Sequence, residues 1–137
     1  VGFPGETDRE FEDTLTFMEQ VEFSSSYMFC YSPRPGTPAA EFPDDVPESV
    51  KKERLKRTID CQSLLTDKRG QKFLGQEVEV LVEGEVTRKG TRFLKGRTPH
   101  YWQTHFTGGE NKVRPGDFVQ VKVEKVSGHA LKGRAMV

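Results

Sequence analysis

A change in hydrophobic period near Gly75 constrains the fold of this chain more than any other feature of its sequence. Beyond it, Val78, Val80 and Val82 alternate with mostly acidic residues, ahead of the turn-prone Gly84, which predicts a strand with one buried face. Further short strands are predicted over 92–98, 103–106, 118–123 and 130–135. Five short strands separated by turns predict a small antiparallel β-barrel of the oligonucleotide-binding kind over residues 75–137.

The N-terminal segment has the pattern of a strand–helix–strand unit. Residues 1–3 read as the end of a strand, and Thr7-Asp8-Arg9-Glu10 is a capping box ahead of a helix predicted over 8–21. The apolar run 27–31 has the length of a strand, so the unit implies two parallel strands. A parallel sheet needs more strands and two covered faces. We therefore interpret residues 1–46 as a piece of a larger α/β domain.

Residues 47–74 predict a helix that links the two regions. No Gly or Pro interrupts residues 48–69, and the apolar residues form a narrow stripe. Basic residues crowd positions 51–57. Such a run is either a solvated helix face or a set of phosphate contacts.

Charge is distributed unevenly along the chain, although the formal net charge is zero. Residues 1–46 carry ten acidic and two basic side chains, whereas residues 75–137 carry seven acidic and eleven basic ones. The basic region suits a polyanionic partner, which the acidic region would repel. The asymmetry predicts two units with different partners.

The two cysteines, Cys30 and Cys61, have no Cys or His at metal-ligand spacing, so free thiols in a reducing compartment are expected. Cys30 lies in an apolar run and is interpreted as a core residue. No apolar run approaches the roughly 20 residues that cross a bilayer. The prediction is a cytoplasmic protein.

One stretch of the predicted barrel combines cations with aromatic rings, which is what binding to exposed RNA bases requires. The alternative for Tyr101 and Trp102 is a place in the core. The predicted RNA-binding residues are Arg88, Lys89, Arg92, Lys95, Arg97, His100, Tyr101 and Trp102.

Three stretches together resemble one family. They are Val-Gly-Phe-Pro-Gly-Glu-Thr at 1–7, Tyr-Ser-Pro-Arg-Pro-Gly-Thr-Pro-Ala-Ala at 31–40, and Val-Pro-Glu-Ser-Val-Lys-Lys-Glu-Arg-Leu at 46–55. The chain resembles the radical-SAM methylthiotransferases, and the barrel is similar to the TRAM domain that closes them. The Arg-Pro-Gly-Thr segment and Gly96-Arg97-Thr98 look most like the tRNA-modifying, MiaB-like branch.

The resemblance implies a parent enzyme that adds a methylthio group to an N6-isopentenyl-type adenosine next to the tRNA anticodon. It also implies S-adenosylmethionine and two [4Fe–4S] clusters as cofactors of the parent. The cysteine motifs that hold such clusters are missing here, so this fragment is expected to bind neither cluster and to be inactive. Its TRAM barrel is expected to bind the anticodon arm. Alternatives are the threonylcarbamoyladenosine-modifying branch and a stand-alone RNA-binding module.

The resemblance also implies a cofactor role for residues near the start of the chain. Gly2, Gly5 and Glu6 would lie near S-adenosylmethionine, or would instead form a tight turn with a carboxylate leading the helix. Arg34, held between two prolines, is assigned to the cofactor or to the RNA, with a local salt bridge as the alternative. Exposed apolar surface on residues 1–46 predicts self-association of the fragment.

Overall fold

The computed structural model of the chain describes residues 1–109 and 112–137. It divides into two compact units, Val1–Leu65 and Thr66–Val137. The boundary lies inside a long helix, whereas the sequence suggested segments 1–46, 47–74 and 75–137. Within the described ranges, no helix combines the length and the apolarity that a bilayer crossing requires.

The first helix, α1, extends over Asp8–Val21 and begins with the predicted capping box. The Thr7 hydroxyl accepts from the Glu10 backbone N–H, and the Glu10 carboxylate accepts from the Thr7 N–H. The Thr7 N–H and the Thr7 hydroxyl both donate to the Glu10 carboxylate, which lowers the pKa of Glu10 below its ordinary value. Glu22 ends the helix with a left-handed backbone whose N–H donates to the Met18 carbonyl.

The two strands predicted for the first unit are reduced to a single pairing. The Val1 amine donates to the Phe29 carbonyl, and the Tyr31 N–H donates to the Val1 carbonyl, each at 2.8 Å. This is the hydrogen-bond pattern of one parallel bridge between Val1 and Cys30. No strand is assigned there, and a short 3₁₀ turn, Pro38–Glu41, follows in the proline-rich loop. That residues 1–46 come from a radical-SAM barrel stays a prediction.

The second helix, α2, extends over Glu48–Gln71, close to the predicted helix. Within the first unit the buried face of α2 is mainly polar, whereas the sequence predicted a narrow apolar stripe. Ile59 is exposed instead. The buried residues on this face are Lys51, Arg54, Thr58, Gln62 and Leu65.

Five strands close into a barrel in the order β1-β2-β3-β5-β4. Their bounds are β1 Glu77–Arg88, β2 Thr91–Arg97, β3 Gln103–Thr107, β4 Phe118–Ser127 and β5 Ala130–Ala135. The prediction of a fully antiparallel barrel is wrong, because β3 and β5 pair in parallel. Closing the barrel brings these two strands together with the same direction, a pairing that local alternation does not encode.

Glycines allow the strands to bend and to approach closely. Gly84, predicted to end the first strand, lies instead at a bulge inside β1, where the register shifts after Val82. A Cβ on Gly96 would lie 2.1 Å from the Leu81 carbonyl oxygen, and one on Gly133 would lie 2.0 Å from that of Lys122. Both positions therefore require glycine.

The barrel core is apolar and has two parts. The larger cluster fills the barrel with Val80, Val82, Leu94, Phe106, Val119, Val121 and Ala135. The smaller one contains Trp102, Val123 and Leu131. Gly70 of α2 approaches the Trp102 ring so closely that a Cβ there would lie 3.1 Å from it. The end of α2 thus belongs to the barrel unit.

Candidate nucleic-acid interface

The turn between β2 and β3 separates two aromatic rings that the sequence places side by side. Tyr101 donates its backbone N–H to the Thr98 carbonyl, and Thr98 donates to the Trp102 carbonyl. Tyr101 has a left-handed backbone, φ 65°, which is uncommon for a bulky residue. Its side chain is 72% exposed, whereas that of Trp102 is 1% exposed.

The prediction that Trp102 contacts RNA from the surface is corrected by this burial. Its ring centroid lies 5.4 Å from that of Phe73 and 4.4 Å from that of His129. The ring is therefore packed on both sides and offers no free face to a base. The core alternative holds for Trp102, while Tyr101 keeps an open ring.

A groove of about 440 Å³ lies beside Tyr101. Tyr101, Phe118 and Leu81 give it an exposed apolar surface, and acidic and basic side chains stand at its rim. Arg97 lies over the Tyr101 ring at 5.6 Å and pairs with Glu83 at 3.0 Å. An aromatic ring flanked by a guanidinium is a suitable stacking surface for an unpaired base.

His100 is exposed and lines a neighbouring groove of about 410 Å³ with Phe73, Gln76 and other residues. Thr98 and Pro99 line both grooves. The two grooves therefore adjoin, and a role for His100 in RNA binding stays a prediction.

The predicted cations occupy different environments on the barrel. Arg92 donates two hydrogen bonds to Glu85, and this contact lowers the pKa of the Glu85 carboxyl. Arg97 is likewise paired with Glu83. Arg88 and Lys89 lie at the two-residue turn that joins β1 to β2, where Lys89 has φ 47°. A carboxylate already neutralises each of the two paired arginines, which weakens them as phosphate ligands.

Four further basic residues on the last two strands were missed by the sequence analysis. Lys122 and Lys125 lie on β4, and Lys132 and Arg134 lie on β5. They alternate with core residues, so the period-two pattern carried the signal. The cations are denser in the stretch 88–97, which makes that stretch the more evident signal.

The residues assigned to the cofactor are only partly brought together. Gly5 and Glu6 line a pocket of about 260 Å³ with Asp8, Asp45, Val46, Pro47, Val50 and Arg54. Gly2 lies outside that lining but donates its N–H to the Glu6 carboxylate. Arg34 also lies outside it, exposed in the proline-rich loop.

Glu6 is engaged by a buried arginine. Arg54, 4% exposed, reaches Glu6 at 2.8 Å and Asp8 at 2.7 Å. Burial alone would lower the pKa of Arg54, but the hydrogen bonds to Asp8 and Glu6 outweigh it and raise the pKa. Lys51 is also buried and pairs with Asp44 at 2.6 Å. The interpretation of the basic run 51–57 as a solvated face is therefore wrong for Lys51 and Arg54. Both are buried, and each pairs with carboxylates of this chain.

The residues present do not fit an iron–sulfur cluster. Within the described ranges, no three His, Cys, Asp or Glu side chains are grouped to hold a metal. The Cys30 thiol lies 3.5 Å from the Lys51 carbonyl oxygen, to which it donates. Burial, assisted by Glu19, raises the pKa of Cys61 and so disfavours its thiolate.

Comparison with known proteins agrees with this geometry. Residues 71–136 match the TRAM domain family. The chain is 46% identical over 133 residues to the tRNA-2-methylthio-N(6)-dimethylallyladenosine synthase of Protochlamydia amoebophila, covering 97% of the chain and 29% of that protein. Proteins of the same name from Bacillus velezensis and Geobacillus kaustophilus are 44% and 45% identical, each over 97% of the chain.

The barrel is therefore a TRAM domain. The resemblance of the chain to the tRNA-modifying methylthiotransferases is confirmed, because the match to these relatives extends over 97% of the chain. The chain spans 24–29% of the length of these three relatives.

Proposed function

We propose that this chain is the RNA-binding part of a tRNA methylthiotransferase and that its TRAM barrel holds the anticodon arm. The whole enzyme would add a methylthio group at C2 of an N6-dimethylallyl-type adenosine beside the anticodon. The names of the relatives support this substrate over the threonylcarbamoyladenosine alternative. The TRAM match supports the RNA-binding role of the barrel.

The observation that carries the proposal is the groove beside Tyr101. An unusual backbone conformation holds this ring open to solvent, next to the exposed rings and side chains that line the groove. Base stacking on such a ring is worth about 1–3 kcal/mol. Arg88, Lys89 and Lys95 form no ion pair among the described residues and are available to phosphates.

The chemistry of the whole enzyme includes S-adenosylmethionine and two [4Fe–4S] clusters in this proposal. Two cysteines cannot ligate either cluster, because each requires several thiolates. Gly2, Gly5, Glu6 and Arg34 remain proposed contacts of the cofactor region. Glu6 would act there through its contacts with Arg54 and the Gly2 N–H.

Exposed aromatic residues on the first unit support self-association of the isolated chain. Tyr27 is 96% exposed, and Phe29, Phe17 and Phe42 are also open to solvent. Exposed apolar residues mark an interaction site where they form a larger patch. Light scattering should show oligomers at high concentration; a monodisperse monomer would contradict this part of the proposal.

The test of RNA binding uses the full chain and a tRNA anticodon-arm transcript over a salt series. Tyr101→Ala should weaken binding by about 1–3 kcal/mol with little change in the salt slope. Tyr27→Ala, a matched change on an exposed ring of the first unit, should leave affinity unchanged. A folded chain with no salt-dependent binding at low ionic strength would overturn the proposal.

The same assay separates paired from unpaired cations. Lys89→Ala should reduce the log–log salt slope by about 0.7–0.9 if Lys89 contacts a phosphate. Arg97→Ala should reduce it less, because Glu83 already pairs with Arg97. Equal effects would show that RNA displaces Glu83.

A further inference from the structure

Four basic side chains form one row across four strands of the barrel. Lys95 on β2 is paired with His105 on β3, His105 with Lys132 on β5, and Lys132 with Lys125 on β4. We call Lys95, His105, Lys132 and Lys125 the cationic row. The sequence analysis identified only Lys95 among them.

The cationic row lies on the outside of the barrel. Leu94, Phe106 and Leu131, each next in the chain to a member of the row, are buried in the core. Because successive side chains of a strand point to opposite faces, the members of the row project outward.

One pair in the row places like charges face to face, because Lys125 on β4 lies directly opposite Lys132 on β5. Lys95, Lys125 and Lys132 form no ion pair in the described part of the chain, in contrast to Arg92 and Arg97. Like charges directly opposite on adjacent strands are destabilising. An anion bound over the row would remove this repulsion.

His105 in the middle of the row gives a second, independent observation. The residue is 5% exposed, and its Nδ1 atom is buried without a hydrogen-bond partner. Burial lowers the pKa of His105 below its ordinary value of 6.5, and the charges of Arg88, Lys132 and Lys95 lower it further. These cations act on the imidazole from β1, β5 and β2, and Gln103 and Thr107 flank it on β3. Burial, together with these positive charges, therefore disfavours the imidazolium form of His105.

The spacing of the row suits one phosphate group. Neighbouring strands are about 4.8 Å apart, so Lys95 and Lys132 flank His105 from backbones roughly 10 Å apart. Lysine stems are long enough to cross half that distance, and both residues are partly exposed. Their ammonium groups can meet above the imidazole.

We propose that the cationic row binds a backbone phosphate of the RNA, with Lys95 and Lys132 as its direct ligands and His105 beneath it. This proposal deepens the proposed function and rests on it. The phosphate places a negative charge near His105, which favours the imidazolium. RNA binding is then coupled to uptake of a proton.

The coupling fixes the direction of the pH dependence. Bound phosphate raises the pKa of His105, so the complex holds more protons than the free protein once the pH falls toward that raised pKa. The affinity for RNA therefore increases as the pH falls from the raised pKa of His105 in the complex toward its lower pKa in the free protein. Above the raised pKa the affinity is constant. Protonation of the exposed His100 is the competing source of such an effect.

The experiment is an NMR titration of the histidine side chains of the full chain, which follows His105 and the competing His100 separately. The pKa of His105 is measured alone, with inorganic phosphate, and with the anticodon-arm transcript. We expect both anions to raise the pKa of His105 by about 1–3, the range for an opposite charge within about 4–6 Å. Histidine assignments follow from H100Q and H129Q, which leave His105 as the third of the three histidines.

The variant arm uses the double substitution Lys95→Ala/Lys132→Ala. It should raise the pKa of His105 in the free protein and abolish the rise on adding phosphate. It should reduce the log–log salt slope of RNA binding by about 0.7–0.9, because both lysines contact the same phosphate. Lys52→Ala, an exposed lysine of α2, is the matched control and should change none of these.

The outcomes separate this site from the proposed function. RNA that binds without changing the pKa of His105 overturns the cationic row as a phosphate site and leaves RNA binding intact. If the RNA does not bind at all, the proposed function fails, and the phosphate titration decides the site. If phosphate raises the pKa of His105 and the double variant abolishes this rise, the result supports an anion site at the cationic row. If phosphate leaves the pKa of His105 unchanged, the result overturns that site.

Discussion

The two units of the chain are stabilised in different ways. The barrel encloses an apolar core, and every strand has two neighbours. In the first unit, helix α2 instead buries charged and polar residues, and Arg54 and Lys51 are held by carboxylates. Closing a sheet on itself removes unpaired edges. The barrel therefore encloses its stabilising apolar groups, whereas the first unit combines a few buried apolar residues with buried ion pairs and leaves other aromatic rings in solvent.

This difference predicts which unit resists substitution and which depends on single contacts. Loss of a core ring in the barrel removes buried apolar area. Loss of one ion in the first unit leaves its partner unpaired. The predictions below test that distinction, from the largest effect to the smallest.

The largest effect is expected for Trp102→Ala. Its ring is buried between Phe73 and His129, so removal should cost about 3–5 kcal/mol of barrel stability through a large cavity. Thermal unfolding monitored by barrel amides measures it. The matched change Tyr101→Ala should lower stability by less than about 0.5 kcal/mol. A variant without Trp102 that melts like the unchanged chain would place this ring outside the core.

A smaller effect is expected for Arg54→Ala in the first unit. The change removes two charge-assisted contacts and leaves the Glu6 carboxylate without its arginine, at a cost of about 2–3 kcal/mol. Native-state hydrogen exchange of the α1 amides reports this loss without requiring two-state unfolding. Arg57→Ala is the control, because its pairs with Glu12 and Glu53 are partly exposed and worth at most about 1 kcal/mol. Equal protection in both variants would refute the dependence on Arg54.

Thr7→Ala should have a smaller effect still, about 1 kcal/mol, because it removes the side-chain cap of α1. The same exchange experiment measures it, with Thr14→Ala as a control on the exposed face of the helix. Protection lost equally in both variants would mean that the cap contributes nothing specific.

The smallest effect is a pH dependence of the same cap. The folded state lowers the pKa of Glu10 through the Thr7 backbone and side chain. Its contribution is therefore present above the unfolded value of about 4.5 and is lost as the pH falls through the lowered folded value. Exchange protection of α1 should decrease over that window, and Glu10→Gln should remove part of the decrease. An identical pH profile in Glu10→Gln would show that other carboxylates cause the loss.

Local sequence signals predicted the helices and strands better than they predicted how these elements pair with one another. The Thr7–Glu10 box and the alternating valines act within a few residues, so helix α1 and the five strands were found. The parallel pairing of β3 with β5 joins distant segments and could not be read from alternation. The sequence predicted a turn at Gly84, whereas the structure has a β-bulge there. Glycine is common in both turns and bulges, so the residue type does not distinguish them.

The candidate site shows the same limit. Tyr101 and Trp102 share one cation-rich stretch, but the turn geometry that exposes one ring and buries the other is a backbone property. For the basic run 51–57 the sequence left a solvated face and phosphate contacts open, and the structure instead buries Lys51 against Asp44 and Arg54 against Glu6. The Glu6 partner of Arg54 lies 48 residues away in the chain, so this pair could not be read from local sequence. The sequence indicated no role for His105, because strand pairing alone brings Lys95 and Lys132 beside it.

The parallel contact between β3 and β5 has a consequence for how the barrel assembles. The β1–β2 hairpin closes across a turn of two residues, a step of microseconds. The pairings of β1 with β4 and of β3 with β5 must join segments separated by much longer chain, and the loop entropy for them is lost before their contacts form. We therefore expect barrel closure to limit the folding rate, in the millisecond-to-second range of small barrels. Shortening the connection between β3 and β4 should then accelerate folding more than tightening the hairpin.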